Sequence, residues 1–394
     1  MSLLNPFDDR DRRPRLAAVV GGQFGSEGKG NVVAHIADRF ATHVRVGSAN
    51  AGHTFYVDGQ RLVCQQLPVA AYANPQAVCV LGPGALISPG ILAAEVARNR
   101  EWRRQRSLAP LDLVVDGRAH LIGDEQVGRE RAGDLAARIG STSATAGEGI
   151  GVAQADRVLR AERCVRADDP DADLPAGVRV IDTVRLLADR ETSGVLLEGT
   201  QGTGLSLTTG LFPFVTSRGT SASGLAADCG VPARRLQHVV MVCRTFPIRV
   251  AGNSGPFWEG SREITWEQVG VTPERTTVTG KPRRVASLSV EQVRYASQVN
   301  GATELVLMFG DYVNPGVYAS TGRDEDVGTP LGARLEAMID AIEDACRLPV
   351  TAVGTGPATL CSRPSGFESG PAARGHVRAL RLRAPQLTYD TAPT

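Results

Sequence analysis

What this 394-residue chain lacks narrows the field first. No apolar run approaches the about 20 residues that cross a bilayer, so no membrane partner is expected. Residues Met1 to Arg15 are polar and carry no apolar core of a secretory signal, which points to a cytoplasmic location. The net charge is +1, which gives no reason to expect direct contact with nucleic acid. The seven cysteines (Cys64, Cys79, Cys164, Cys229, Cys243, Cys346, Cys361) form no CxxC pair and several lie in apolar runs, the pattern of buried thiols in a reducing compartment. There is no internal repeat, no low-complexity tail and no clean linker. The chain therefore reads as a polar leader, 1–14, followed by one domain, 15–394, with inserted loops. No G-x-G-x-x-G follows a strand, which excludes a dinucleotide-binding oxidoreductase.

What is present is a recurring grammar of short apolar strands followed by glycine-rich or polar loops. The first strand, Leu16 to Val20, opens into Gly21-Gly22-Gln23-Phe24-Gly25-Ser26-Glu27-Gly28-Lys29-Gly30 and then an apolar helical stretch. Five glycines in ten residues let backbone N–H groups turn inward at a helix N-terminus, where an anion is favoured. Lys29 stands where an ammonium could neutralise a phosphate. It is followed by Gly30 rather than Ser or Thr, so this is not a Walker A loop.

Further strands are expected at 42–46, 77–81, 111–115, 194–197, 239–242, 305–308 and 349–353, and a helix from about Pro89. Runs apolar at every position imply a mostly parallel central sheet covered by helices on both faces, an α/β fold. Its ligand loops would gather at the carboxyl edge. Those loops hold His53, Gln201, Thr216 and a basic stretch from Arg275 to Arg284. Arginine and backbone donors of this kind recognise phosphates and carboxylates. A nucleotide and a second anionic substrate follow as the expected ligands. A loop histidine is as a rule a surface residue; the small residues around His53 argue for a place in the site. The Ser/Thr/Gly stretch from Gly140 to Gly151 reads equally as a surface loop or an anion-binding one.

Taken together, these blocks resemble the adenylosuccinate synthetases, collinearly from about Ala17 to Pro357. The opening loop is similar to that family's G-D-E-G-K-G, and Asn50-Ala51-Gly52-His53-Thr54 matches its N-A-G-H-T. Gly199-Thr200-Gln201-Gly202-Thr203 resembles G-A-Q-G-T, and Pro213-Phe214-Val215-Thr216-Ser217 resembles P-F-V-T-S. The basic loop resembles T-T-G-R-P-R-R, and Gly354-Thr355-Gly356-Pro357 resembles S-x-G-P.

The resemblance implies a fold like that of P-loop NTPases and a C–N ligase that phosphorylates a purine 6-oxo group and displaces the phosphate with aspartate. It implies catalytic roles for Ser26, Lys29 and His53. It implies triphosphate binding by Gly25, Glu27, Gly28, Lys29, Gly30, Thr54, Asp311, Gly354, Gly356 and Pro357. The purine monophosphate would meet Ser26, Asn50, Ser141, Thr142, Gln201, Thr216 and Arg160, the last donated across a homodimer. L-aspartate would meet Thr279, Gly280, Lys281 and Arg283. Mg²⁺ would be held at Ser26 and the Gly52 carbonyl.

Departures from the pattern are as informative. Ser26 stands where the family has its catalytic-base aspartate, and a hydroxyl is no base near neutral pH without an activating neighbour. Serine here is a feature of phage-encoded members that make N6-succino-2-amino-2'-deoxyadenylate from dGMP with ATP or dATP. The smaller side chain leaves room for a 2-amino group and can accept its hydrogen bond. A carboxylate could accept from the same donors, so the substrate assignment rests on the resemblance. Phe309-Gly310-Asp311 keeps the aspartate of the guanine-reading K-L-D but changes its neighbours, which argues against strict GTP use, and Lys281 replaces an arginine and its bidentate fork. The readings that follow are a dGMP–aspartate ligase, an IMP- and GTP-using synthetase, and a non-catalytic nucleotide-binding relative.

Overall fold

The computed structural model describes residues 16–133, 147–190, 193–275, 280–320 and 331–363. A ten-stranded sheet runs through it in the order Leu360–Ser362, Val350–Gly354, Glu304–Met308, His238–Arg244, Leu16–Gly21, Val195–Glu198, Thr42–Arg45, Val78–Leu81, Leu113–Asp116, Arg179–Ile181. Every neighbouring pair is parallel except the edge pair of Leu360–Ser362 with Val350–Gly354.

The apolar runs account for this. Side chains alternate across a strand, so a strand apolar at every position needs cover on both faces. Ala17 and Val19 enter one apolar cluster with Val32, Val33 and Ile36 of the Lys29–Ile36 helix. Leu16, Ala18 and Val20 enter the other, with Val293 and Ala296 of the Val290–Asn300 helix and Leu335 and Ile339 of Ala333–Cys346. Each expected strand is present within a residue or two of its expected limits, and the helix expected from Pro89 spans Pro89–Gln105.

Several small elements had no clear sequence signal. The edge strand Arg179–Ile181 is three residues long and largely exposed, so it carries little apolar pattern. A hairpin, His53–Val57 with Gln60–Cys64, packs beside the opening helix. A three-stranded sheet of Ile248–Arg249, Arg284–Ala286 and Glu263–Ile264 sets the stem of the basic loop. The buried edge strand of that small sheet, Ile248–Arg249, follows directly in the chain from the central strand His238–Arg244.

Candidate functional site

The opening loop leaves the middle strand of the sheet and enters the Lys29–Ile36 helix through Gly28, whose φ of 92° lies in the left-handed region that glycine tolerates. Gly30 is required by close approach: a Cβ there would sit 2.6 Å from the Thr54 carbonyl oxygen. Glu27 is fully buried and braces the loop from within. Its Oε1 accepts from the amides of Gln23 (3.0 Å) and Gly25 (2.7 Å), and its Oε2 takes the Lys29 ammonium at 2.6 Å. The Gly25 amide is thus spent on Glu27, which leaves the helix N-terminus and Lys29 as the donors an anion could meet. Lys29 also donates to the Gly25 carbonyl at 3.3 Å.

His53 is the first residue of the hairpin, not a surface loop residue, and is only 5% exposed. Its Nδ1 lies 2.6 Å from Glu198 Oε1, and Arg45 Nη1 lies 2.8 Å from the same nitrogen while also bonding Glu198. An ionised carboxylate only accepts, so Nδ1–H donates to Glu198 and the Nε2 lone pair is left outward. That Nε2 is buried and has no partner among the described residues. Burial, and then the Arg45 charge, lower the His53 pKa to about 4 against the pull of Glu198. Burial pushes the Glu198 carboxyl up, but Arg45 and His53 outweigh it and bring it down to about 2. A neutral imidazole beside an ionised carboxylate is the result. Its remaining oxygen accepts the Val69 amide at 2.9 Å, and Arg45 Nη2 donates to the Gln65 carbonyl at 2.9 Å.

Ser26 sits between two arginines. Its carbonyl accepts from Arg244 Nη1 at 3.0 Å, and its hydroxyl accepts from Arg283 Nη1 at 3.4 Å. No carboxylate occupies the position. Burial lowers the Arg283 pKa and raises that of Asp311, which lies on the short helix Gly310–Tyr312. The opening helix reaches the last loop directly, through Asn31 Nδ2 and the Pro357 carbonyl at 2.8 Å.

Of the other expected site residues, Gln201 and Thr216 meet at 3.0 Å across two loops. Asn50 accepts from Ser48 at 3.2 Å, and the Gly52 carbonyl belongs to an exposed turn just before His53. Gly354 ends a buried strand, with Gly356 in the following turn. Gly280, with φ 62°, accepts from Arg275, and Lys281 is exposed. Arg160 is exposed as the left-handed cap of the Ile150–Leu159 helix. Ser141, Thr142 and Thr279 lie outside the described residues. Sequence reasoning missed Glu198, Arg45, Arg244, Glu274 and Tyr312. For three of them a signal existed: Arg45, Glu198 and Arg244 are charged residues inside or ending apolar strands, where an unpaired charge is too costly to be accidental.

Comparison with known proteins gives the family. The family model for adenylosuccinate synthetase matches residues 18–170 and 174–316. The chain belongs to the adenylosuccinate synthetase family. Members of the adenylosuccinate synthetase family are C–N bond-forming ligases, and this chain is a ligase of that type. The adenylosuccinate synthetase of Thermococcus onnurineus is 35% identical over 343 residues, covering 86% of this chain and 95% of its own. That of Archaeoglobus fulgidus is 34% identical over 348 residues, with the same coverage. Among solved structures, a succinoaminodeoxyadenylate synthetase of cyanophage S-2L, bound to dGMP and to dATP as an energy donor, superposes with a TM-score of 0.75. It is 30% identical and covers 90% of this chain and 97% of its own. The fully ligated adenylosuccinate synthetase of Plasmodium falciparum shares the fold, with a TM-score of 0.72 at 20% identity, covering 89% and 100%.

Proposed function

We propose that this ligase joins L-aspartate to C6 of dGMP at the expense of ATP or dATP, giving N6-succino-2-amino-2'-deoxyadenylate, the nucleoside diphosphate and phosphate. The observation that carries the reading is Ser26: a hydroxyl held between Arg244 and Arg283 where the family has a carboxylate. The cyanophage relative, with dGMP and dATP bound, supports it.

The 6-oxo oxygen attacks the γ-phosphorus as N1 gives up its proton and the nucleoside diphosphate leaves; the aspartate amine then adds at C6, loses a proton and expels phosphate. Lys29 and the N-terminus of the opening helix draw charge from the transferring phosphoryl group. His53 is neutral in the free protein. An arriving polyanion raises its pKa, so the imidazole takes a proton at Nε2 and donates it toward the phosphoryl oxygens while Nδ1–H stays on Glu198. Gln201 and Thr216 hold the monophosphate, joined by Arg160 of a second copy, whose neighbours Val158 and Leu159 are 63% and 73% exposed. Arg283 and Lys281 take the aspartate carboxylates, Arg283 through the planar fork that Lys281 lacks.

The family relationship implies Mg²⁺. The Gly52 carbonyl and the Ser26 hydroxyl are hard oxygen donors that fit it, and among the described residues no three acidic, His or Cys side chains converge. The ion would therefore be held chiefly through triphosphate oxygens, and when bound it would neutralise phosphoryl charge.

Incubating the protein with Mg²⁺, ATP and aspartate plus either dGMP or IMP tests the proposal. Phosphate release with dGMP is expected; turnover of IMP alone would overturn it. The names of the archaeal relatives favour a second reading, an IMP- and GTP-using synthetase. Ser26→Asp separates the two: it improves IMP turnover under the second reading and abolishes dGMP turnover under the first.

A further inference from the structure

Arg244 ends the strand next to the opening loop's own strand and is 1% exposed. Its backbone is pinned to that loop from both sides: the Arg244 amide donates to Gln23 Oε1 at 2.9 Å, and Gln23 Nε2 donates to the Arg244 carbonyl at 3.1 Å. Its guanidinium reaches three loops. Nη1 donates to the Ser26 carbonyl at 3.0 Å, Nη2 pairs with the Glu274 carboxylate, and the plane lies 4.0 Å over the Phe309 ring.

The contacts close on themselves. Glu274 accepts from the Tyr312 hydroxyl at 3.2 Å, and the Tyr312 and Phe309 ring centroids are 5.1 Å apart. Phe309 sits at φ 64°, a backbone state that costs a bulky residue of order 1–3 kcal/mol and persists only where surroundings fix it. Its carbonyl is held by Thr245 Oγ1 at 2.7 Å. Glu274 is also the stem of the basic loop, since its carbonyl accepts the Arg283 amide at 2.8 Å. Burial works to raise the Glu274 carboxyl, and Arg244, with Arg283 nearby, outweighs it and keeps the carboxylate ionised.

A circuit of ion pair, hydroxyl bond, ring contact and cation–π stacking around a buried guanidinium is stiff, because each member loses its partner if any one moves. We propose that Arg244, Glu274, Tyr312 and Phe309 form a clasp of positioning residues that sets the Arg283 stem against Ser26, and so fixes the amino-acid site relative to the opening loop. The ligands of these loops rest on the function proposed above; the clasp itself rests on contacts alone.

Steady-state kinetics of Tyr312→Phe, Glu274→Gln and the double variant test it. Tyr312→Phe should raise KM for aspartate three- to tenfold, and Glu274→Gln more than tenfold with a fall in kcat. KM for the triphosphate and the purine monophosphate should stay within twofold. The double variant should be no worse than Glu274→Gln, because both changes break one circuit. Three KM values rising together, or a lower Tm with an unchanged aspartate KM, would reduce the clasp to a structural brace and overturn the proposal. Failure of the wild-type protein to ligate aspartate to any purine monophosphate would sink the function above but not the clasp. Amide exchange then reads it: Glu274→Gln should speed exchange at Arg283 at least tenfold, and equal rates would overturn it.

Discussion

At the scale of single residues, the site depends on charges that only make sense in pairs. Removing one partner of a buried pair leaves an uncompensated charge, at a cost of about 3–5 kcal/mol. Glu198→Gln is therefore expected to lower stability by that order and to free His53 from its tautomer, and thermal unfolding with single-turnover phosphate release would read both losses. His53→Gln keeps a neutral side chain of similar reach, so its cost should fall on kcat, about 10²–10⁴-fold, with little change in Tm.

The same pair sets a pH dependence. His53 is held at about 4 against about 6.5 in the unfolded chain, so between those values the unfolded state binds a proton that the folded state does not. Its contribution is complete above about 6.5 and is lost as pH falls toward 4. Glu198, held at about 2, adds a further loss as pH falls below about 4.5. Wild-type Tm should therefore drop between pH 7 and 4.5, and His53→Gln should show a shallower drop over that window. Parallel curves would remove His53 as the cause.

At the scale of elements, the opening loop and its helix form a unit with two fixed points, Gly28 and Gly30. Gly30→Ala puts a methyl group against the Thr54 carbonyl, so the helix must shift away from the His53–Val57 strand. Triphosphate affinity measured by calorimetry should fall at least tenfold, with a smaller effect on folding. This unit was legible in the sequence as strand, glycine loop, helix. What was not legible was how the loop spends its amides. Glu27 folding back onto Gln23 and Gly25 is a side-chain choice made by burial, and spacing alone gives no sign of it. The sequence pattern puts His53 on a loop for a similar reason: the small residues before it hide a short hairpin whose partner strand, Gln60–Cys64, is half polar.

At the scale of the whole molecule, the Ile150–Leu159 helix presents Val158 and Leu159 to solvent just before Arg160. Under the proposed function this face meets a second copy. Leu159→Asp should shift sedimentation from dimer to monomer and, by withdrawing Arg160, raise KM for the purine monophosphate. A monomeric wild-type protein with full activity would remove the dimer from the account.

The sequence by itself determined the strand-and-loop grammar, the family and its departures from the family pattern, Ser26 foremost. These are local facts, carried by apolar runs, glycines and motif spacing within about ten residues. Tertiary structure alone decided which charges meet. His53 and Glu198 are 145 residues apart in the chain, and Arg45 and Glu198 face each other only because Val195–Glu198 and Thr42–Arg45 are neighbours in register. Arg244, Glu274 and Tyr312 likewise arrive from three separate segments. Strand order brings them together, and strand order is set by how two apolar faces are best covered, a property of the whole sheet that no single stretch encodes.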